Sequence, residues 1–139
     1  MPLSRPILLG LGALLGAAAL LLLPKSYKRI LLVGNSQFDG NYTLGGRLAE
    51  LLRRRGFDVQ VLARYGKGAA IGGSYFLADR LPSKLKSFKP DLVIVSLGGN
   101  DASRYHSLSK RAEYQKIIRQ WARIIRGSGA ELMWFTPST

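Results

Sequence analysis

Apolar and polar positions follow three different rhythms along this chain. The first is an unbroken apolar run from Ile7 to Leu23, 17 residues of Leu, Ile, Ala and Gly only, set between Arg5 and Pro24-Lys25. Its length meets the lower limit of about 17 residues for a bilayer-spanning helix, and a signal-peptide core is usually shorter, roughly 7 to 15 residues. An uncleaved membrane anchor over residues 1–24 is therefore expected. Ala17-Ala18-Ala19 offers a cleavable signal peptide as the alternative, and a buried core helix is a third account. Residues 25–28 form a short linker to the rest of the chain.

The second rhythm is a set of short apolar runs. Arg29 to Gly34 (RILLVG) and Asp91 to Leu97 (DLVIVSL) read as parallel strands buried on both faces, Phe57 to Ala63 (FDVQVLA) as an alternating strand, and Glu131 to Thr136 (ELMWFT) as a fourth strand. Between them runs the third rhythm, helical spacing. Leu44, Leu48, Leu51 and Leu52 predict a helix that stops at Gly56. Another runs through Phe88, interrupted or restarted at Pro82. Tyr114, Ile117, Ile118, Trp121, Ile124 and Ile125 make an apolar stripe on a last helix ended by Gly127 and Gly129. Strands alternating with helices predict a parallel sheet with helices on both faces, spanning residues 29–139 as one domain.

Composition narrows the chemistry. With one His and no Cys, the chain excludes a disulfide scaffold, a thiolate nucleophile and a His/Cys metal cluster, and nothing calls for a cofactor. Twenty-one Lys and Arg oppose eight Asp and Glu, and all but Arg5 lie from Lys25 onward. A domain so basic is drawn to polyanions, including lipid headgroups. Specific nucleic-acid binding is disfavoured, because no zinc finger, homeodomain or RNA-recognition motif is present and Trp121 falls on the apolar stripe. Arg53-Arg54-Arg55 closes a helix, where cations meet the carbonyl end of the dipole, and Lys84, Lys86 and Lys89 read as a solvated face. Neither a dinucleotide-binding nor a P-loop glycine pattern occurs.

In an open parallel sheet, ligands bind beyond the carboxyl ends of the strands, where strand order reverses. Three segments fall there: Gly34-Asn35-Ser36-Gln37, a loop with Gly66, Gly68, Gly72 and Gly73, and Gly98-Gly99-Asn100-Asp101. A Ser presented after a buried strand, with Gly amides and an Asn side chain as donors to an oxyanion, is the equipment acyl transfer needs. Taken singly, each segment also suits an ordinary βα turn.

Together these residues resemble the SGNH (GDSL-type) hydrolases, esterases and lipases on a flavodoxin-like three-layer α/β/α fold. The resemblance implies a sheet of about four strands here, with Ser36 as nucleophile and its own amide in the oxyanion hole. It implies an oxyanion amide from the Gly-rich loop, at Gly68 or alternatively Gly66, and an oxyanion side-chain donor at Asn100. Asn35 stands where the family usually has Asp, and Gln37 where Leu is common. The family's last block, an Asp-x-x-His after a further edge strand, has no counterpart, so the domain reads as C-terminally shortened. His106, in the loop after the third strand, is the sole imidazole. It reads as a solvent-exposed loop residue, a replacement base or a substrate contact. Asp39, three residues after Ser36, reads as a carboxylate at a helix N-terminus or as one approaching the crevice, and Asp101 as a turn Asp with local hydrogen bonds.

The reading at this stage is a membrane-anchored serine esterase acting on lipid or cell-envelope glycan esters. The alternative is an inactive or incomplete domain of the same type, a basic membrane-apposed binding module or one needing a partner subunit to supply the His. Charges flanking the apolar run slightly favour a cytoplasmic domain, with Lys25, Lys28 and Arg29 against Arg5, whereas the family resemblance favours the exported side.

Overall fold

The structure, a computed structural model, describes Ile7–Leu9 and residues 26–135. Its elements are β1 (Ile7–Leu9), β2 (Arg29–Gly34), α1 (Leu44–Arg54), β3 (Asp58–Ala63), a single π-helical turn (Phe76–Arg80) running into α2 (Leu81–Phe88), β4 (Leu92–Ser96), α3 (Leu108–Gly127) and β5 (Glu131–Phe135). All strand pairings are parallel, in the order β1-β5-β4-β2-β3.

The four strands read from the sequence are all present. Ile30, Leu32 and Ile94 face one side of the sheet, where Leu48, Ala49 and Leu52 of α1 cover them. Leu31, Val33, Val93 and Val95 face the other, against Phe76, Leu81, Leu85, Trp121 and Ile125. Burial on both faces is why these strands read as continuous apolar runs. The buried face of α1 is Gly45, Leu48, Ala49 and Leu52, while Leu44 and Leu51 of the periodic set lie on its exposed side. Thr43 caps α1, its hydroxyl accepting from the Gly46 N–H at 3.1 Å. Pro82 falls in the first turn of α2, directly after the π-helical turn, so the interruption expected at Pro82 is a change of helix type rather than a break.

One expectation changes. Ile7–Leu9 forms a short strand paired in parallel with Met133–Phe135, so the sheet has a fifth strand and the helix expected from Ile7 does not begin there. A short apolar run is compatible with either state, and the β5 edge offers it unpaired backbone groups. The remainder of the expected anchor, residues 10–24, lies outside the described residues, as does the end of the last strand at Thr136. Among the described residues no helix is long and apolar enough to cross a membrane.

Candidate active site

Strand register fixes where the site lies. Gly34 at the end of β2 pairs with Ala63 of β3 and with Ser96 of β4, so the three strands end level. The chain leaves β2 for β3 on one side and returns to β4 on the other, which makes the β2–β4 boundary the switch point of the sheet. Ser36 follows β2 by two residues and Asn100 follows β4 by four; both are exposed on this end.

The Ser36 turn is built on a tight packing contact. A Cβ on Gly34 would lie 2.6 Å from the Phe38 ring, and one on Gly45 would lie 2.5 Å from it. Phe38, buried, is thus wedged between two glycines, one ending β2 and one in the first turn of α1. The backbone closes around it: Phe38 N–H donates to the Asn35 carbonyl (2.9 Å) and Gly45 N–H to the Gln37 carbonyl (2.9 Å). Asn35 Oδ1 accepts from Gln37 N–H at 3.1 Å, an Asx turn that gives the residue replacing the family's Asp a local task. Neither the N–H nor the Oγ of Ser36 has a hydrogen-bond partner among the described residues.

The Gly-rich loop is the hub. Arg64 N–H donates to Gly34 O at 3.1 Å, continuing the β2–β3 ladder toward Ser36. Asp39 Oδ2 accepts from Tyr65 N–H at 3.1 Å. Asp39 therefore precedes the Thr43 cap and ties the first loop to the second, in place of the helix-end role expected of it. Asn100 Nδ2 donates to Lys67 O at 2.9 Å, which leaves its second amide hydrogen uncommitted.

Asp101 binds the same loop most extensively. Only 1% exposed, it accepts from Ala69 N–H (2.9 Å), Ile71 N–H (2.8 Å) and, more weakly, Ala70 N–H (3.3 Å), and from the Tyr114 hydroxyl (3.0 Å). This corrects the expectation of local turn bonds. Burial, reinforced by the Asp101 charge and hydrogen bond, pushes the Tyr114 hydroxyl well above its ordinary value. Trp121 completes the hold on the loop by donating Nε1–H to Ala69 O at 3.0 Å.

The two glycines expected as oxyanion amides differ. Gly66 is exposed with φ +73°, the left-handed region, and its surroundings are open. Gly68 is required on steric grounds, since a Cβ there would meet the Asp101 carboxylate at 2.2 Å. Its N–H donates to Ile71 O at 2.8 Å, so that proton is turned into its own loop, away from an oxyanion. The Gly66 N–H has no acceptor among the described hydrogen bonds. His106 is exposed, with Nδ1 2.9 Å from Ser103 O, and no hydrogen bond joins it to Ser36. Among the described residues no group of acidic or His side chains could hold a metal ion.

The domain is a doubly wound α/β/α unit with a Ser, a Gly-rich loop and an Asn-Asp pair beyond neighbouring parallel strands. The chain belongs to the GDSL-like lipase/acylhydrolase (SGNH) family, whose model matches residues 32–139. Among solved structures it is similar to a psychrotrophic esterase from Pseudoalteromonas sp. (16% identity, TM-score 0.57, covering 79% of this chain and 61% of that one). A GDSL-like lipase from Bacteroides thetaiotaomicron aligns at 18% identity and TM-score 0.53, over 87% of this chain and 54% of that one. A Slackia heliotrinireducens protein described as an SGNH hydrolase aligns at 18% identity and TM-score 0.53, over 77% and 54%. The chain thus spans a little over half the length of these proteins. No curated protein matches it.

Proposed function

We propose that this chain is a serine esterase of the SGNH type, acting through Ser36 on acyl or acetyl esters of lipids or cell-envelope glycans. The observation that carries the reading is that Ser36 and Asn100, both exposed, follow the neighbouring strands β2 and β4 at the switch point of the sheet, each on a loop fixed by buried contacts. In this mechanism Ser36 Oγ attacks the ester carbonyl and gives its proton to a general base. The oxyanion is met by Ser36 N–H and the free hydrogen of Asn100 Nδ2, with the Gly66 amide as the third donor the loop has to offer. The tetrahedral intermediate collapses, the alcohol leaves with a proton, and water then releases the acid from Ser36 by the same steps. With Ile7–Leu9 in the sheet, the 14 apolar residues from Gly10 to Leu23 fall short of a bilayer span. The segment would therefore hold the domain against a membrane surface, on the exported side, with its basic surface facing anionic lipid.

The base is the weak point of a single-chain mechanism, and one observation favours a second reading. The sole imidazole has its Nδ1 beside Ser103 O and no link to Ser36. A partner subunit would then supply the His, or the domain would bind without turnover. A short-chain aryl ester and a fluorophosphonate probe decide among these. Turnover and labelling, both abolished by Ser36→Ala, support the esterase. Neither occurring in the wild-type chain would refute catalysis by this chain alone.

A further inference from the structure

Helix ends and solvated faces account for most of the basic residues, which leaves one cluster without an account. Arg64, Lys67 and Arg80 gather around a single ring, that of Tyr75. Their charged groups lie 5.7, 5.8 and 3.9 Å from its centroid. The ring is fixed from behind: it stands edge-on to buried Phe76 at 5.0 Å, and Phe76 packs on Trp121. Arg80 is held by its Nη1 donating to Tyr75 O at 3.2 Å. The Lys67 side chain lies over Gly72, where a Cβ would come within 2.6 Å of its Cδ.

Three cations share one ring, whose face supplies only partial negative charge. Among the described residues, the ion pairs are Arg54–Glu50 and Lys110–Glu113, so none of the three has a carboxylate partner. Nearby Asp79 accepts from Ser83. The cluster is also tied to the catalytic loops by backbone. Arg64 N–H bonds the residue two before Ser36, and Lys67 O receives the Asn100 side chain. Asp39 on the Tyr65 N–H and Asp79 on the Ser83 hydroxyl pair with none of the three cations. The cluster thus keeps an excess of positive charge for an anion brought by a ligand, and two guanidinium groups suit the oxygens of phosphate or carboxylate.

We propose that the Arg64–Lys67–Arg80 cluster receives an anionic group, phosphate or carboxylate, carried by the ester substrate beyond its scissile carbonyl. This rests on the reading of Ser36 as the nucleophile. The substrate class is thereby an anionic ester, and a neutral ester of equal size is a poorer substrate.

The test compares matched esters with the full chain at low salt. p-Nitrophenyl hemisuccinate is set against p-nitrophenyl butyrate, and 4-acetoxybenzoate against phenyl acetate, placing the charge on the acyl or the alcohol side. The expected result is a kcat/KM about tenfold or more higher for the anionic member of one pair. That ratio should fall toward one in Arg80→Gln with Lys67→Gln and in about 0.5 M salt, and hold in Lys116→Gln with Arg119→Gln, which removes the same two charges from the exposed side of α3. No preference in either pair, or an equal loss in the α3 double variant, overturns the proposal.

A binding arm separates this from the esterase reading. Inorganic phosphate and vesicles of phosphatidylglycerol or phosphatidylcholine are titrated against Ser36→Ala, with and without Arg80→Gln. Phosphate binding that depends on Arg80 supports the cluster with a soluble anion as its source. Dependence confined to phosphatidylglycerol vesicles supports it with a lipid headgroup as the source. Binding of neither that depends on Arg80 overturns the cluster, whatever the esters show. Arg80-dependent binding without any turnover leaves the cluster standing and removes the esterase.

Discussion

The Asp101 carboxylate lies 2.8 Å from the backbone N–H of Ile71, 30 residues earlier in the chain, and the two are the closest link between the Asn100 loop and the Gly-rich loop. The carboxylate also receives Ala69 N–H and the Tyr114 hydroxyl, so one buried side chain sets the relative position of the two loops that would share an oxyanion in the proposed mechanism. An amide in its place keeps one acceptor and turns an NH2 group on donors. Asp101→Asn should lower stability by roughly 1–3 kcal/mol, read as a shift in the urea midpoint. Tyr114→Phe, which leaves the backbone bonds in place, should cost less than Asp101→Asn in the same assay. Equal costs would mean that the amide bonds contribute nothing.

Gly34 and Phe38 make a second testable pair. Gly34 is glycine for want of space beside the Phe38 ring, and its backbone is not in the left-handed region. Gly34→Ala should therefore destabilise by about 1–3 kcal/mol through overpacking and slow labelling of Ser36 by a fluorophosphonate. Shortening the ring in the same chain, as Phe38→Leu, should recover part of both losses. A Gly34→Ala chain that labels at the wild-type rate would show that the wedge does not position Ser36.

His106 carries a sharp kinetic expectation. With Nδ1 beside Ser103 O and the ring exposed, His106→Gln should change ester turnover by less than about threefold. Removing a working general base costs on the order of 100-fold or more. A loss of that size would assign the base to His106 and retire the partner-subunit reading.

Two groups away from the site predict the pH limits of the fold. Burial alone would raise the Asp91 carboxyl. The N–H groups of Arg29 (2.8 Å) and Lys28 (2.9 Å), with the charges of both side chains, outweigh burial and hold it below its ordinary 3.8. A depressed acid contributes stability above its unfolded value and loses it as pH falls through the folded one. At the other end, burial and then the hydrogen bond to Glu131 push the Tyr27 hydroxyl up to about 12 from 10.0. Its contribution is complete below pH 10 and lost as pH rises toward 12. Urea midpoints should therefore drop below about pH 4 and above about pH 10. Asp91→Asn should flatten the acid limb and, because the Asp91 charge also helps raise the Tyr27 hydroxyl, trim the alkaline limb slightly. Tyr27→Phe should flatten the alkaline limb and leave the acid one.

How much of the molecule is legible in its chain depends on the range of the interactions. Leu31, Val33, Val93 and Val95 are readable as strand because burial on both faces leaves a local apolar run. Ser36 and Asn100 are readable because strand ends and glycines mark where such residues must sit. Asp39 and Asp101 are not, since each looks like an acid with local duties and each instead serves an amide on a loop 26 or more residues away. Nothing in local spacing encodes that. Gly68 reads as an amide donor, whereas its nearest demand is room for a carboxylate from another loop. Ile7–Leu9 has a composition that suits bilayer and sheet equally, and the choice between them belongs to the partner it meets.

The Gly-rich loop is held by its backbone: Arg64, Tyr65, Lys67, Ala69 and Ile71 each give or receive a main-chain hydrogen bond from another part of the molecule. The side chains of Arg64, Tyr65 and Lys67 make none of these bonds; Tyr65 is exposed, and Arg64 and Lys67 reach the Tyr75 ring. Such a loop works as a rack with interchangeable fittings. Libraries restricted to positions 64, 65 and 67 should yield folded proteins with altered substrate charge and shape, whereas substitutions at 68, 69 or 101 should be repaid in unfolded chain.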